Sequence, residues 1–149
     1  MKKILIVLIL VLSNCGYQPL YTNNNSENLV FKKINFEGNK KINRKIISAL
    51  NFSENESDYN YDELILNTKK NIQTTSKNDK GQAISYNQII ETFITIKNND
   101  NIIKQKSFIV NFSYNTKDNK FDLVEYEEQI ENNLINEIIE ELNIYINLK

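Results

Sequence analysis

Histidine and tryptophan are absent from this 149-residue chain, and cysteine occurs only once. Without histidine, the sequence excludes mechanisms of the Ser–His–Asp and Cys–His types and the common histidine-ligated metal sites. The single cysteine, Cys15, excludes an intramolecular disulfide, a thiolate zinc cluster and CxxC redox chemistry. Basic residues (18) nearly balance acidic ones (19), so the strongly basic character of nucleic-acid-binding proteins is also missing. We therefore expect no cofactor, no metal and no nucleic-acid partner.

Carboxylates are the catalytic groups that remain. Paired acidic residues hydrolyse glycosidic bonds in many hydrolases, and Glu54 with Asp58 or Glu125 with Glu128 are candidate pairs. Nothing in the sequence places either pair in a cleft, so we predict that the protein is not an enzyme. The acidic segment Ser53–Asp62 lacks the glycine and the terminal glutamate of an EF-hand calcium loop, and it is predicted to be a solvated loop.

The N-terminus has the layout of a secretion signal. Two lysines precede nine consecutive apolar residues, Ile4 to Leu12. A helix of that length spans roughly 14 Å, too little for the hydrocarbon core of about 30 Å, so a signal peptide is favoured over a membrane-spanning helix. The following Ser13-Asn14-Cys15 resembles the bacterial lipobox, in which small residues precede a cysteine that becomes acylated at its side chain and amino group. We predict a lipoprotein signal peptide over residues 1–14 and lipid attachment at Cys15.

The residue after the lipidation site indicates where the protein is sorted. Gly16 follows Cys15, whereas Asp at that position is the usual inner-membrane retention signal. The lipobox resemblance therefore implies an outer-membrane lipoprotein on the periplasmic side, held in the membrane lipid by its acyl chains. The alternative for Cys15 is a small buried apolar residue, but packing does not explain its place directly after the apolar segment. Residues 15–28 are predicted to form a tether, and residues 29–149 a single folded domain.

Hydrophobic periodicity in the domain predicts the element order β-α-β-β-β-α. The stretch Leu29–Phe36 alternates as a strand, and Lys40–Phe52 has the spacing of a short amphipathic helix with a basic outer face. The stretch Leu64–Thr75 fits either a strand or a helical turn, and its threonines favour a strand. The stretches Ala83–Lys97 and Ile103–Tyr114 alternate as the arms of a hairpin.

The last predicted element is a helix of about 26 residues that begins near Asp122, where Glu125 completes a capping-box pattern. Its apolar residues recur every four positions, and two further isoleucines widen the stripe: Tyr126, Ile130, Leu134, Ile135, Ile138, Ile139, Leu142 and Ile146. Such a helix is roughly 39 Å long and covers a small sheet. We predict an α+β two-layer sandwich, with a four-stranded, mostly antiparallel sheet and two helices on one face.

Three segments together resemble the lipopolysaccharide (LPS)-assembly lipoprotein (LptE) family, the lipoprotein subunit of the outer-membrane LPS translocon. The segment Cys15-Gly16-Tyr17-Gln18-Pro19-Leu20-Tyr21 resembles the family's CGFxPLY start. The segment Gly81-Gln82-Ala83, followed by Tyr86, is similar to its GQ…Y stretch. The segment Phe112-Ser113-Tyr114-Asn115, with the long helix behind it, is similar to its last strand and helix.

The resemblance implies a non-catalytic outer-membrane lipoprotein that plugs and helps assemble the LPS-export β-barrel and contacts the lipid A part of LPS. The family's basic position before Gly-Gln falls at Asp79, so the neighbouring Lys77 and Lys80 are the candidate LPS ligands. A second basic position of the family falls near Glu125, which is acidic. Lysines beside a glycine turn also occur for solubility alone. The alternative function is a periplasm-facing scaffolding or binding lipoprotein of another envelope-assembly machine.

Overall fold

The computed structural model describes residues 29–147. The elements in chain order are β1 (Val30–Gly38), α1 (Lys40–Ala49), β2 (Ser53–Glu54), β3 (Tyr61–Lys77), β4 (Ala83–Asn98), β5 (Asn101–Asn115) and α2 (Lys120–Asn147). Both helices pack with one face of the sheet in a single hydrophobic core, which confirms the α+β sandwich. No helix within these residues is long and apolar enough to cross a membrane. The predicted signal peptide, the tether and Cys15 lie outside the described residues.

The sheet has five strands, in the order β2-β1-β3-β4-β5, where four were predicted. The three long strands are antiparallel neighbours, as expected for hairpins. Strand β1 pairs in parallel with β3, because α1 returns the chain to the same end of the sheet. The fifth strand, β2, lies in the segment predicted to be a solvated loop. The backbone N–H groups of Ser53 and Asn55 donate to the carbonyls of Leu29 (3.2 Å) and Phe31 (2.9 Å), tertiary bonds that local composition does not reveal.

Helix α1 has a well-defined start and end. Gly38 precedes it with a φ of +66°, and a Cβ there would lie 2.2 Å from a carbonyl oxygen of β3, so only glycine fits. The side chain of Asn39 caps the first turn by accepting a main-chain hydrogen bond at 3.2 Å. The helix ends at Ala49, before the predicted end at Phe52, because Asn51 takes a left-handed φ of 55°. The chain then turns Phe52 into the core.

The segment that was ambiguous from sequence forms β3. Its side chains Leu64 and Leu66 are fully buried beneath the helices. The next two positions on the same face are polar, and both have distant partners. The buried hydroxyl of Thr68 lies 3.0 Å from a hydroxyl of β4, and the ammonium of Lys70 donates to Glu131 of α2 at 2.5 Å. These tertiary contacts explain why the strand lacks a continuous apolar stripe.

Helix α2 begins at Lys120, slightly before the predicted Asp122. The side chain of Asn119 caps it by accepting from the N–H of Phe121 at 2.9 Å. The predicted apolar stripe is confirmed, with five buried members and three partly buried ones packed against the core: Ile130, Leu134, Ile135, Ile138, Leu142, Tyr126, Ile139 and Ile146. The Tyr114 hydroxyl of β5 donates to Glu127 at 2.7 Å and ties α2 to the sheet, and burial, together with this bond, raises the pKa of that phenol.

Candidate ligand-binding turn and exposed sheet surfaces

The turn between β3 and β4 is organised by one asparagine side chain. The Oδ1 atom of Asn78 accepts from the N–H groups of Lys80 (3.0 Å) and Gln82 (2.9 Å). The backbone of Asn78 also exchanges hydrogen bonds with that of Gln82 and Gly81, each at 2.9 Å. Gly81 has a φ of +76° and its Cβ position faces open space, which confirms the predicted glycine turn.

Both candidate lysines lie at this turn and are exposed. Lys77 ends β3, Lys80 lies inside the turn, and every residue of β3 beyond Lys70 is also exposed. Within residues 29–147, neither ammonium group has a hydrogen-bond or ion-pair partner. The two side chains can therefore meet an anion without breaking an existing contact of the domain.

The turn lies at the end of the sheet that is remote from the start of β1, where the described chain begins. Strand β1 starts beside the start of β3, with Phe31 next to Tyr61. Strand β3 then runs for 17 residues, roughly 55 Å, to the turn. The chain segment leading to Cys15 therefore joins the domain at one end of its long axis, and Lys77 and Lys80 lie at the other.

The charges at this end of the sheet are mixed. The loop between β5 and α2 lies beside the start of β4, where the N–H of Thr116 donates to the carbonyl of Ile84 at 2.9 Å. The turn with the end of β3, and that loop with the first turn of α2, together carry four lysines and three aspartates: Lys77, Lys80, Lys117, Lys120, Asp79, Asp118 and Asp122. Glu125, at the family's second basic position, is exposed on α2. An anion at this end would be bound by individual lysines rather than by a strongly positive field.

The sheet face turned away from the helices, here the open face, is largely polar. Its side chains on β3 and β4 include a charged pair, Glu63 and Lys97, at 2.8 Å. The hydrogen bond from Lys97 lowers the pKa of Glu63, and Asn35 of β1 donates to the same carboxylate. Lys69 of β3 and Glu91 of β4 lie opposite each other on the same face. Amide, hydroxyl and a few apolar side chains make up most of the rest of this face, and Ile109 of β5 is 62% exposed.

A groove lies where β5 meets α2. Its volume is about 260 Å³, and its lining combines apolar and amide side chains with one carboxylate: Phe112, Tyr126, Ile130, Leu134, Asn111, Gln129, Asn133 and Glu137. Phe112 is 46% exposed, although it lies on the same face of the strand as the buried Phe108 and Val110. The groove opens along β5, the outermost strand on this side of the sheet.

The carboxylate pairs considered for catalysis are on the surface. Glu54, Asp58, Glu125 and Glu128 are all exposed, and Glu54 accepts a hydrogen bond from the N–H of Ile34 at 3.1 Å. No group of acidic, histidine or cysteine side chains suited to a metal ion occurs in the part of the chain that the structure describes.

Two buried amides were not identified from the sequence. Asn43 of α1 is fully buried, and its Nδ2 donates to the carbonyls of Glu37 (2.7 Å) and Leu66 (3.0 Å). Gln88 of β4 is also fully buried, and neither polar atom of its side chain has a partner among residues 29–147. Gln88 lies in the same parity as the predicted core residues of its strand, which is the one signal that could have located it.

These features define a two-layer α+β domain with a covered sheet face, an open polar face and a long exposed hairpin. The fold is similar to that of several solved bacterial lipoproteins. Rare lipoprotein B from Shewanella oneidensis superposes with a TM-score of 0.52 at 11% identity, over 72% of this chain and 87% of that one. Uncharacterized lipoprotein B from Nitrosomonas europaea gives 0.55 at 8% identity, over 77% and 80% of the two chains.

A minor lipoprotein from Acinetobacter baumannii gives a TM-score of 0.50 at 14% identity, over 77% of this chain and 90% of that one. No protein-family model and no curated protein sequence matches the chain. At these identities the likeness establishes a shared fold. The lipoprotein neighbours share the overall fold of this chain.

Proposed function

We propose that this chain is a non-catalytic outer-membrane lipoprotein, anchored through acylated Cys15, that plugs and helps assemble the LPS-export β-barrel. In this role it supports LPS transport and its insertion at the outer membrane. Lys77 and Lys80 contact the phosphates of lipid A. The fold shared with bacterial lipoproteins supports the general class, and the N-terminal heptapeptide supports the particular role.

The observation that carries the proposal is the open face of the sheet. Three strands of 15 to 17 residues present this face, and neither helix covers it. Its central charges lie opposite each other in pairs, Glu63 with Lys97 and Lys69 with Glu91, and most of its other side chains are amides and hydroxyls. Such a surface can exchange hydrogen bonds with the polar interior of a barrel without burying unpaired charge.

The two candidate lysines lie where LPS that moves through the barrel partner could contact them. They are exposed at the end of the domain opposite to the start of β1, so LPS could reach them while the acyl chains stay in the membrane. A lysine meets a phosphate as a compact point charge. One exposed contact is worth about 0–1 kcal/mol in water and more where a barrel or lipid excludes solvent.

Depletion of the protein in its native bacterium tests the proposal. The quantities to follow are newly made LPS at the cell surface and the folded, heat-modifiable form of the LPS-export barrel. Both should fall on depletion, and the wild-type chain should restore both. A Cys15→Ser chain, which cannot be lipidated at that position, should restore neither. If both quantities stay normal while another envelope structure fails to assemble, the scaffolding alternative is correct.

A further inference from the structure

The two edges of the sheet differ in how far their outward-facing backbone groups are hydrogen-bonded. At the β1 edge, the segment from Ser53 to Asn55 covers the first residues of the strand: β2 pairs with it, and the N–H groups of Ser53 and Asn55 donate to the carbonyls of Leu29 and Phe31, at 3.2 and 2.9 Å. The Glu54 carboxylate accepts from the N–H of Ile34 at 3.1 Å. Exposed edges recruit other strands unless they are blocked in such ways.

At the other edge, β5 is closed only at its beginning. The hydroxyl of Tyr145 exchanges hydrogen bonds with both backbone groups of Gln105, each at 3.1 Å, so those groups point away from β4. The β4–β5 register is unbroken from Gln105 to Asn115. Every second residue therefore turns its backbone outward as Gln105 does. In the described chain no strand lies beyond β5, so the outward groups from Ser107 to Ser113 have no neighbouring strand.

This free segment has none of the devices that normally block an edge. The residues Ser107-Phe108-Ile109-Val110-Asn111-Phe112-Ser113 include no charge and no proline. Two of its apolar side chains are also open to solvent, Ile109 at 62% and Phe112 at 46%. The backbone and the side chains of this edge are both suited to accept an extended strand.

We propose that the strand which completes this edge is β5 of a second copy of the chain, paired antiparallel about a two-fold axis at Val110. The heptapeptide reads nearly the same in both directions from Val110. Self-pairing in this register places Ser107 opposite Ser113 and Ile109 opposite Asn111. All four residues have outward-facing backbone groups, so the ladder is geometrically consistent.

The charges near the segment favour self-pairing in this register. Lys106 falls opposite Tyr114 and Lys104 opposite Thr116, so no two cations face each other. The partner strand would also lie along the groove between β5 and α2 and cover part of Phe112. The ladder ends at Gln105, whose backbone is already bonded by Tyr145.

Cysteine pairing in the purified, acylated full-length chain in detergent tests the register. Chains with Ile109→Cys are mixed with chains with Asn111→Cys, oxidised, and resolved on a non-reducing gel. Both positions are exposed on the open face, so both variants should fold. We expect a disulfide between the two variants, because residues directly opposite on paired strands lie about 5.5 Å apart. Wild type and a mixture of Ile109→Cys with Ile103→Cys are the controls and should give none.

Light scattering of the same preparation tests the pairing itself. Wild type should have the mass of a dimer at micromolar concentration, Ile109→Lys should shift it to monomer, and the matched Ile103→Lys variant should remain dimeric. A monomeric wild type, with no disulfide between the Ile109→Cys and Asn111→Cys chains, would overturn the proposal. Disulfide capture of a different protein by the Ile109→Cys chain in cells would overturn it as well and assign the edge to that protein. A monomeric wild type leaves the proposed role in LPS export intact, whereas capture of the LPS-export barrel would overturn the self-pairing and support that role.

Discussion

The substitution Ile138→Asp probes the helix that covers the sheet. Ile138 is fully buried in α2 among the apolar residues of β4 and β5. Truncating such a side chain to alanine costs about 2–5 kcal/mol, and a buried carboxylate without a partner adds a desolvation cost of a further few kcal/mol. A domain of this size is stable by about 5–15 kcal/mol in total. We therefore expect the variant to be largely unfolded or to keep only a small part of its stability.

The assay is urea unfolding of the variant and of a matched control, followed by circular dichroism. Ile144→Asp makes the same chemical change in the same helix, but Ile144 is 63% exposed and should tolerate it with a loss of about 1 kcal/mol or less. The predicted order of unfolding midpoints is wild type, then Ile144→Asp close behind, with Ile138→Asp far below both. Equal midpoints for the two variants would show that the covered face of α2 is assigned incorrectly.

Three further outcomes are expected. Gln88→Met should stabilise the domain by about 1–3 kcal/mol in thermal melts, because it removes a buried amide without partners; destabilisation would show that the amide is bonded. Lys97→Met should cost about 0–1 kcal/mol at neutral pH. The lowered pKa of Glu63 stabilises the fold above pH 4.5 and stops doing so as the pH falls through the lowered pKa. The stability difference between wild type and Lys97→Met should therefore disappear at acidic pH, and a difference that stays constant with pH would contradict this role of Lys97. Replacing Lys77 and Lys80 with Glu should weaken LPS binding at low salt, less at high salt, and leave the melting temperature unchanged; unchanged binding would make the turn a solvated loop.

Elements with a strong local pattern were predicted correctly. The apolar residues of α2 recur every four positions and so mark the covered side of the helix, because burial along a long helix repeats with the helical turn. The alternation of Ile90, Ile94 and Ile96 in β4 does the same for a strand, and all three are buried. In both cases one face of the element packs against a single continuous core, so the local sequence pattern is enough to identify the buried face.

Features that depend on distant partners were not predictable. The strand β2 forms because its backbone pairs with β1, and a strand of two residues is too short to show an alternating pattern in the sequence. The polar positions of β3 are satisfied by residues far along the chain, Lys70 by Glu131 for example, so the strand had no clear apolar face. The free edge at β5 has a visible sequence feature, a run without charges, but only the strand order shows that it is an edge.

The candidate site was predicted in part. Gly81 indicated the turn because a positive φ there favours glycine, and the structure confirms the turn and the exposure of both lysines. The sequence did not show that the turn lies at the opposite end of the domain from the start of β1. That arrangement follows from the parallel pairing of β1 with β3, which is a tertiary feature.

Affinity purification from detergent-solubilised outer membranes tests the proposed role most directly. The full-length chain is tagged at its C-terminus, and co-purifying proteins, together with the N-terminus of the chain, are identified by mass spectrometry. We predict a stoichiometric β-barrel of the LPS-export type and a chain that begins at acylated Cys15. A chain that keeps Met1, or one that brings down another envelope machine in place of that barrel, would contradict the proposal.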